Sequence, residues 1–473
     1  MRLKVLSNIL GRFMLVFAPI VASPILIGLY YSEPGPNLAP FVYASLISLI
    51  AGFILKHGGE NTKPSVKEAL TATVLGWFVA VSLGSIPLLP ELGVVDAGFE
   101  AVSGLTTSGI SMFLMPEDLP HSILFWRALM QWVGGLGILT FFIAVIRESG
   151  GISRRLFSAE THKTDAGSIR PSLKKSIIDL WRVYGFVTSV IIGTFIALGM
   201  PVFDAVAHAF TTISTGGFST TSQSLAGFSP EIQAATVPFM FIGGVNFVIL
   251  YQVLRGKAKA LRNAELKTYA LFFAGLAAIL FTGYMGSGSG LLDAAFQSAA
   301  VVSSTGFSTA SFVQLSTAIQ FLVIGVMFVG GSVGSTSGGV KVFRVKTMVE
   351  VLRRRVRSYS LPETAVNEPK IDGSILEDST VRTVSALFFT WLSVVFLATL
   401  ITLVFDGVSV KAAMSGAVSA AGNMGPVYMS GVEMTGLTPF SKLAWMFAML
   451  AGRLEMLPLL AIFNRTLLPT NKQ

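Results

Sequence analysis

Four short segments of this chain end alike. Thr106-Thr107-Ser108-Gly109, Ser214-Thr215-Gly216-Gly217, Ser303-Ser304-Thr305-Gly306 and Gly422-Asn423-Met424-Gly425 each set small or hydroxyl-bearing residues before a final glycine, only Asn423 and Met424 departing from that pattern. In the first three an acid, Asp96, Asp204 or Asp293, precedes that glycine by 13 residues. Such segments hold no nucleophile–base pair. What they offer is oxygen, and rings of backbone carbonyls can replace the hydration shell of a cation. Glycine permits the backbone angles that aim carbonyls at one point. A single Gly/Ser/Thr segment reads as close packing between membrane helices. Four copies in one architecture favour a cation site.

Each segment closes a short apolar stretch, near 95–108, 203–215, 292–305 and 409–424. These are too short to cross a bilayer and are expected to be re-entrant, surrounded by protein. Longer apolar runs flank them. Spans are expected near 9–30, 37–55, 66–90, 121–146, 176–200, 231–254, 266–285, 315–330 (continuing, interrupted, to about 350), 379–405 and 440–463. The three acids suit N-caps at the positive helix end, so that each short helix points its negative end at its glycine loop. Lys411 is read as standing where the fourth acid would be. His208 and Asn423 read as structural, and Gly134-Gly135-Leu136-Gly137 and Gly243-Gly244 as helix packing.

Composition agrees. Hydrophobic residues make up 52% of the 473, charged residues only 12%, and mean hydropathy is +0.70. A soluble chain carries nearer a quarter charged residues. The expected class is an all-α polytopic membrane protein: two N-terminal helices, then four helix–pore loop–helix repeats around one pore. The units are expected at 1–62, 63–150, 151–260, 261–375 and 376–473. There is no cysteine, and the four histidines (His57, His121, His162, His208) are scattered, so no metal-type cluster and no enzyme is expected.

The net charge of +9 does not point to nucleic acid. With the N-terminus in the cytoplasm, 30 of the 34 Lys/Arg fall in segments 1–12, 56–67, 147–182, 255–267, 341–382 and 464–473. That is the positive-inside pattern, with both termini cytoplasmic and basic clusters near anionic lipid. Arg127, Lys411, Lys442 and Arg453 are the exceptions. Arg453 lies about halfway along the last span, where a charge costs about 3 kcal/mol. It should face the pore or a buried partner; Glu455, two residues on, points to another side of a helix, so the pore is favoured.

One further segment stands out. Gly330, Gly331, Ser332, Val333, Gly334, Ser335, Thr336, Ser337, Gly338 and Gly339 contain five glycines and three serines, which no stable helix keeps. Val340 before Lys341 breaks any phosphate-loop pattern. The segment is either a passive kink or a hinged, flexible gate.

Together, the four loops, the Gly-rich interruption from Gly330 to Lys341 and Gly452-Arg453-Leu454-Glu455 resemble the Trk/Ktr/HKT superfamily of potassium transporters over about residues 66–465. The two extra N-terminal spans look like the Trk-type membrane subunit. The resemblance implies a plasma (inner) membrane protein that takes up potassium ion through a selectivity filter made by the four loops. It implies a gate at 330–339 with Arg453 below the filter, a homodimer, and a cytoplasmic ring of nucleotide-binding regulatory subunits. Plant sodium-selective relatives carry serine at the first filter glycine, so Gly109 favours potassium. The alternative is a symporter coupled to a proton or sodium gradient. Against it, the repeats run parallel, and mid-span acids other than Glu455 are nearly absent.

Overall fold

The computed structural model describes residues 1–148, 173–285, 290–360, 370–371, 374–425, 428–454 and 456. Glu455, the basic segment 464–473, His162 and residues 361–369 of the linker therefore lie outside the described residues. The protein is helical. Among the described residues the only strands are a two-residue antiparallel pair, Lys370–Ile371 with Ser374–Ile375.

Two long helices, Leu3–Tyr30 and Gly35–Gly58, pack together at the N-terminus. Four units follow, each with an outer helix, a short helix and an inner helix. In the first these are Val66–Ser85, Val94–Leu105 and His121–Glu148. In the second they are Leu173–Ala197, Val202–Ile213 and Pro230–Gly243 with Phe247–Leu254. The third has Ala264–Tyr284, Gly290–Val302 and Thr317–Met327 with Val342–Ser358. The fourth has Asp378–Asp406, Val410–Gly422 and Pro439–Arg453. Six of these helices are long and apolar enough to cross a membrane, and a bent pair gives a seventh. Leu26, Ile54 and Phe396 are exposed on long helices, as side chains facing lipid would be.

Buried tryptophans lock the units. Trp126 Nε1 donates to Gly84 O at 2.9 Å, Trp391 Nε1 to Ala421 O at 3.0 Å, and Trp445 Nε1 to Thr402 Oγ1 at 2.9 Å. The N-terminal pair is tied in at both ends. Arg2 and the Ser65 capping box share the Glu68 carboxylate, and Glu33 receives the Ser122 amide at 3.0 Å and its hydroxyl at 2.5 Å. Across the outer loops, Glu117 accepts from the Ser222 hydroxyl at 2.6 Å, which holds its carboxyl below the usual carboxylate range.

Three expectations need correction. The acids are not N-caps. Gly93 and Pro201 hold that position, while Asp96, Asp204 and Asp293 sit in the first turn. Asp204 and Asp293 instead accept from Thr220 at 2.6 Å and Thr309 at 3.0 Å, three residues past each final glycine, and Asp96 binds Lys442 at 2.6 Å. Lys411 is one residue early: Ala412 is the fourth equivalent, and Ser409 caps that helix. Finally, 231–254 is not one straight span. It breaks after Gly243 and bends by 106°.

Candidate cation pathway

The four loops share a backbone conformation more closely than a sequence. Two residues before each final glycine the chain is left-handed: Thr107 (φ 59°), Thr215 (φ 53°), Ser304 (φ 59°) and Asn423 (φ 50°). The glycine is left-handed again, with φ of 74° at Gly109, 81° at Gly217, 79° at Gly306 and 86° at Gly425. A non-glycine residue rarely adopts this region, and a threonine there is an outlier. Alternation of φ sign turns successive carbonyls toward one side instead of opposite sides.

Helix termination produces the first left-handed residue. The amides of Thr107, Thr215, Ser304 and Asn423 each donate to the carbonyl three residues back. In loops one, two and four the next amide reaches five back: Ser108 to Ser103, Gly216 to Thr211, Met424 to Ser419. This pair of bonds is the Schellman stop. In the third loop Gly306 takes the Ala300 carbonyl instead. The hydroxyls of Thr106, Ser214 and Ser303 also return to the carbonyl four back, at 2.7, 2.7 and 2.6 Å.

The final glycines bring the loops into a ring. A Cβ on Gly109 would strike the carbonyl of Gly216, one on Gly217 that of Thr305, and one on Gly306 that of Met424. A Cβ on Gly425 would lie 3.3 Å from the Ser108 carbonyl, which closes the circle. Asn423 Nδ2 donates to Ser108 Oγ at 2.8 Å across that last joint. The four loops singled out in the sequence therefore meet around one ring. Thr107 Oγ1 and Asn423 Oδ1 are buried with no hydrogen-bond partner among the described residues. A ring of carbonyls at the negative ends of four short helices suits a dehydrated cation.

The Gly-rich segment lies against this ring. Gly339 N–H donates to Gly422 O at 2.8 Å and Gly338 N–H to Ser304 Oγ at 2.6 Å. It is not a loosely held strand. Thr336 Oγ1 donates to Ile213 O and Gly243 O, Ser332 N–H to Gly244 O, and Phe247 N–H returns to Gly334 O. The break in the second inner helix at 243–247 thus exposes the carbonyls that seat the segment. Arg453 holds it from the other side, donating to Thr336 O at 2.7 Å and to Gly134 O and Gly135 O at 2.9 and 2.6 Å. Arg453 and the segment are brought together as expected. The expectation of a flexible polar stretch is revised, because its movement requires exchanging this whole set of bonds.

Other residues singled out in the sequence lie off the ring. Lys411 donates to Gln320 Oε1 at 2.8 Å over the Tyr428 ring, away from the ring of loops. His208 stands behind loop two, with Nε2 2.9 Å from Ser219 Oγ and Nδ1 2.8 Å from Asp204 O. Gly134 and Gly135 pack against Leu105 and Ser214, as small residues between helices should.

Four functional candidates escaped the sequence. Gln131 grips loop two, donating to Gly216 O at 2.7 Å and accepting from Phe218 N–H at 3.1 Å. Glu265, at the start of the third outer helix, accepts from Val333 N–H in the Gly-rich segment at 2.7 Å. Glu100 and Arg127 form a buried ion pair at 2.8 Å behind loop one. One signal was available: Glu100, His208 and Gln297 all fall nine residues before a final glycine.

A helical membrane protein with four re-entrant loops closed around one axis is the architecture of an ion-transport subunit. The family model for the TrkH cation transport proteins matches residues 38–473, and the chain belongs to that family. It is 29% identical over 483 residues to the Trk system potassium uptake protein TrkH of Salmonella typhimurium, covering 98% of this chain and 99% of that one. The Trk system potassium uptake protein TrkI of Halomonas elongata is 30% identical over 482 residues, covering 97% and 95%. The crystal structure of the potassium transporter TrkH from Vibrio parahaemolyticus superposes with a TM-score of 0.87 at 27% identity, covering 99% of this chain and 100% of that one.

Proposed function

We propose that this chain takes up potassium across the cell membrane along the axis enclosed by its four loops. The filter residues are 106–109, 214–217, 303–306 and 422–425. The observation that carries the reading is the left-handed backbone at the same two positions of all four loops. Its support from relatives is that the Salmonella typhimurium and Halomonas elongata proteins, similar to this chain over nearly their whole length, are named potassium uptake proteins. The segment 330–339 with Arg453 is the gate, since it rests against Ser304 and Gly422 on one side and Arg453 on the other. Repeat units bounded at 63–150, 151–260, 261–375 and 376–473 follow the helix triplets. One chain closes its own ring, so a homodimer would have one pore per subunit. The distribution of basic residues along the sequence supports cytoplasmic termini. Cytoplasmic nucleotide-binding regulatory subunits are the proposed partners; the relatives' names make them parts of a Trk system.

Reversal potentials in reconstituted vesicles under opposed potassium and sodium gradients test this. A potassium-selective Nernstian response is expected. A potential that instead follows the proton gradient would favour coupled symport. Gly109→Ser is expected to admit sodium, because its side chain must displace the Gly216 carbonyl. A parent-like preference in that variant would remove the filter assignment from the first loop.

A further inference from the structure

Three of the four loops are braced from behind, each by a residue of a different kind. The position nine residues before each final glycine holds Glu100, His208, Gln297 and Gly416. The first three reach the serine two residues past the glycine. Glu100 Oε1 accepts from Ser111 Oγ at 3.1 Å, His208 Nε2 lies 2.9 Å from Ser219 Oγ, and Gln297 Nε2 donates to Ser308 Oγ at 3.2 Å. In the fourth unit the Trp445 ring occupies the space a side chain would need. The brace is therefore charged, then imidazole, then amide, then absent.

Only the charged brace recruits a partner of opposite sign. Arg127, on the first inner helix, is 2% exposed and Glu100 is fully buried. Arg127 Nε donates to Glu100 Oε1 at 2.8 Å, one terminal nitrogen to Ser111 Oγ at 2.8 Å, and the other to Ser219 O at 3.2 Å. Its guanidinium lies over Phe218 at 4.3 Å and near Phe113 at 5.4 Å. Glu100 Oε2 accepts from Met112 N–H at 2.6 Å. One planar fork thus fixes the strands leaving loop one and loop two relative to each other.

A buried ion pair is weak evidence for stability, because desolvation cancels much of its attraction. The third loop achieves the same brace with a neutral amide, so the fold does not need a charge there. What a guanidinium adds is rigid geometry toward several acceptors at once, which neither an amide nor an ammonium supplies.

We propose that Glu100 and Arg127 are a positioning pair that sets ion preference, by holding the first two filter loops at a fixed separation. The proposal rests on the reading of the four loops as the filter. The test uses the double variant Glu100→Gln/Arg127→Gln, which removes both charges together and avoids stranding one. Potassium-over-sodium permeability is measured in vesicles beside Gly109→Ser. The double variant is expected to fold and conduct, with its permeability ratio lowered roughly tenfold, the scale of one charge-assisted hydrogen bond. Arg127→Lys, which keeps the charge without the fork, should recover only part of the ratio. A folded double variant with the parent's ratio, beside a Gly109→Ser control whose ratio falls, overturns the proposal and leaves the filter reading standing. If neither ratio moves, the filter reading falls first and the proposal with it. Should the double variant fail to fold, Ser111→Ala decides. It removes the hydroxyl shared by both side chains and is expected to lower the ratio by a smaller factor, and an unchanged ratio there overturns the proposal.

Discussion

The four axis loops and the Gly-rich segment beneath them both depend on left-handed backbone, and they hold it in opposite ways. In the axis loops positive φ recurs at two fixed positions, and the first is reached by bonds each loop makes to its own short helix. In the Gly-rich segment it falls at Gly330, Gly334, Gly339 and Lys341 without a period. That segment is seated by groups from elsewhere, including Gly244, Ser304, Gly422, Glu265 and Arg453. The axis loops are a local device made four times. The Gly-rich segment is a junction of units, made once. A local device tolerates changes of residue type as long as the helix stops in the same way. A junction is sensitive to residues far away in sequence.

The largest effect should come from breaking the shared device at its glycine. Gly306→Ala places a Cβ against the Met424 carbonyl and 3.1 Å from Gly425 Cα, at a φ of 79°. The left-handed conformation alone costs an alanine about 1–2 kcal/mol. Potassium flux in vesicles should drop more than tenfold in protein that still elutes as the folded species. Thr107→Gly, two residues before the equivalent glycine, relieves the same kind of strain and should stay near the parent. Equal losses in both variants would mean that the repeated backbone is incidental.

The junction should respond in the other direction. Arg453→Ala removes the donor that holds the Thr336 carbonyl, and deleting residues 333–336 removes the part of the segment that Ile213, Gly243 and Glu265 grip. Each bond is worth about 1 kcal/mol net. Removing the arginine also takes a positive charge from a region of weak screening. Both variants should pass potassium several-fold faster than the parent, keep its ion preference, and depend less on a cytoplasmic regulator. Folded variants that conduct no faster would leave the segment as a passive seat and put the gate elsewhere.

The same contrast explains what the sequence made legible. A device built locally and repeated leaves a period, and spacing to the final glycine marks the four loops whose backbone repeats. Composition was enough for a helical membrane protein, and glycine content was enough for the break at 330–339. Tertiary bonding left a common spacing without a common residue type. Glu100, His208 and Gln297 perform one task with three chemistries, so identity between the repeats hides them. Arg127 appeared only as an exception to the charge pattern, because its partner lies 27 residues away on another helix. The acids at Asp96, Asp204 and Asp293 suited an N-cap, yet a carboxylate in the first turn meets the same dipole while reaching a neighbouring strand. Hydropathy cannot register a bend, so in sequence the turn at Gly243 is indistinguishable from packing inside a straight span.

The smallest effect belongs to the fourth loop, where the shared conformation rests on a different side chain. Asn423 is left-handed with φ 50° and ψ 56°, and its amide donates to Ser108 Oγ at 2.8 Å and Met449 O at 3.1 Å. Two contributions are mixed at this position. Asparagine enters the left-handed region more readily than other non-glycine residues, and its amide ties loop four to loop one. Asn423→Gly keeps the first and loses the second, whereas Asn423→Ala loses both. Hydrogen bonds between membrane segments average about 0.6 kcal/mol, and a left-handed alanine costs about 1–2 kcal/mol. Thermal midpoints in detergent should therefore fall slightly for the glycine variant and further for the alanine variant, with ion preference moving in the same order. If the two variants fall equally, the tie to Ser108 and Met449 carries the fourth loop and the backbone preference adds nothing there. That result would separate loop four from the device the other three share.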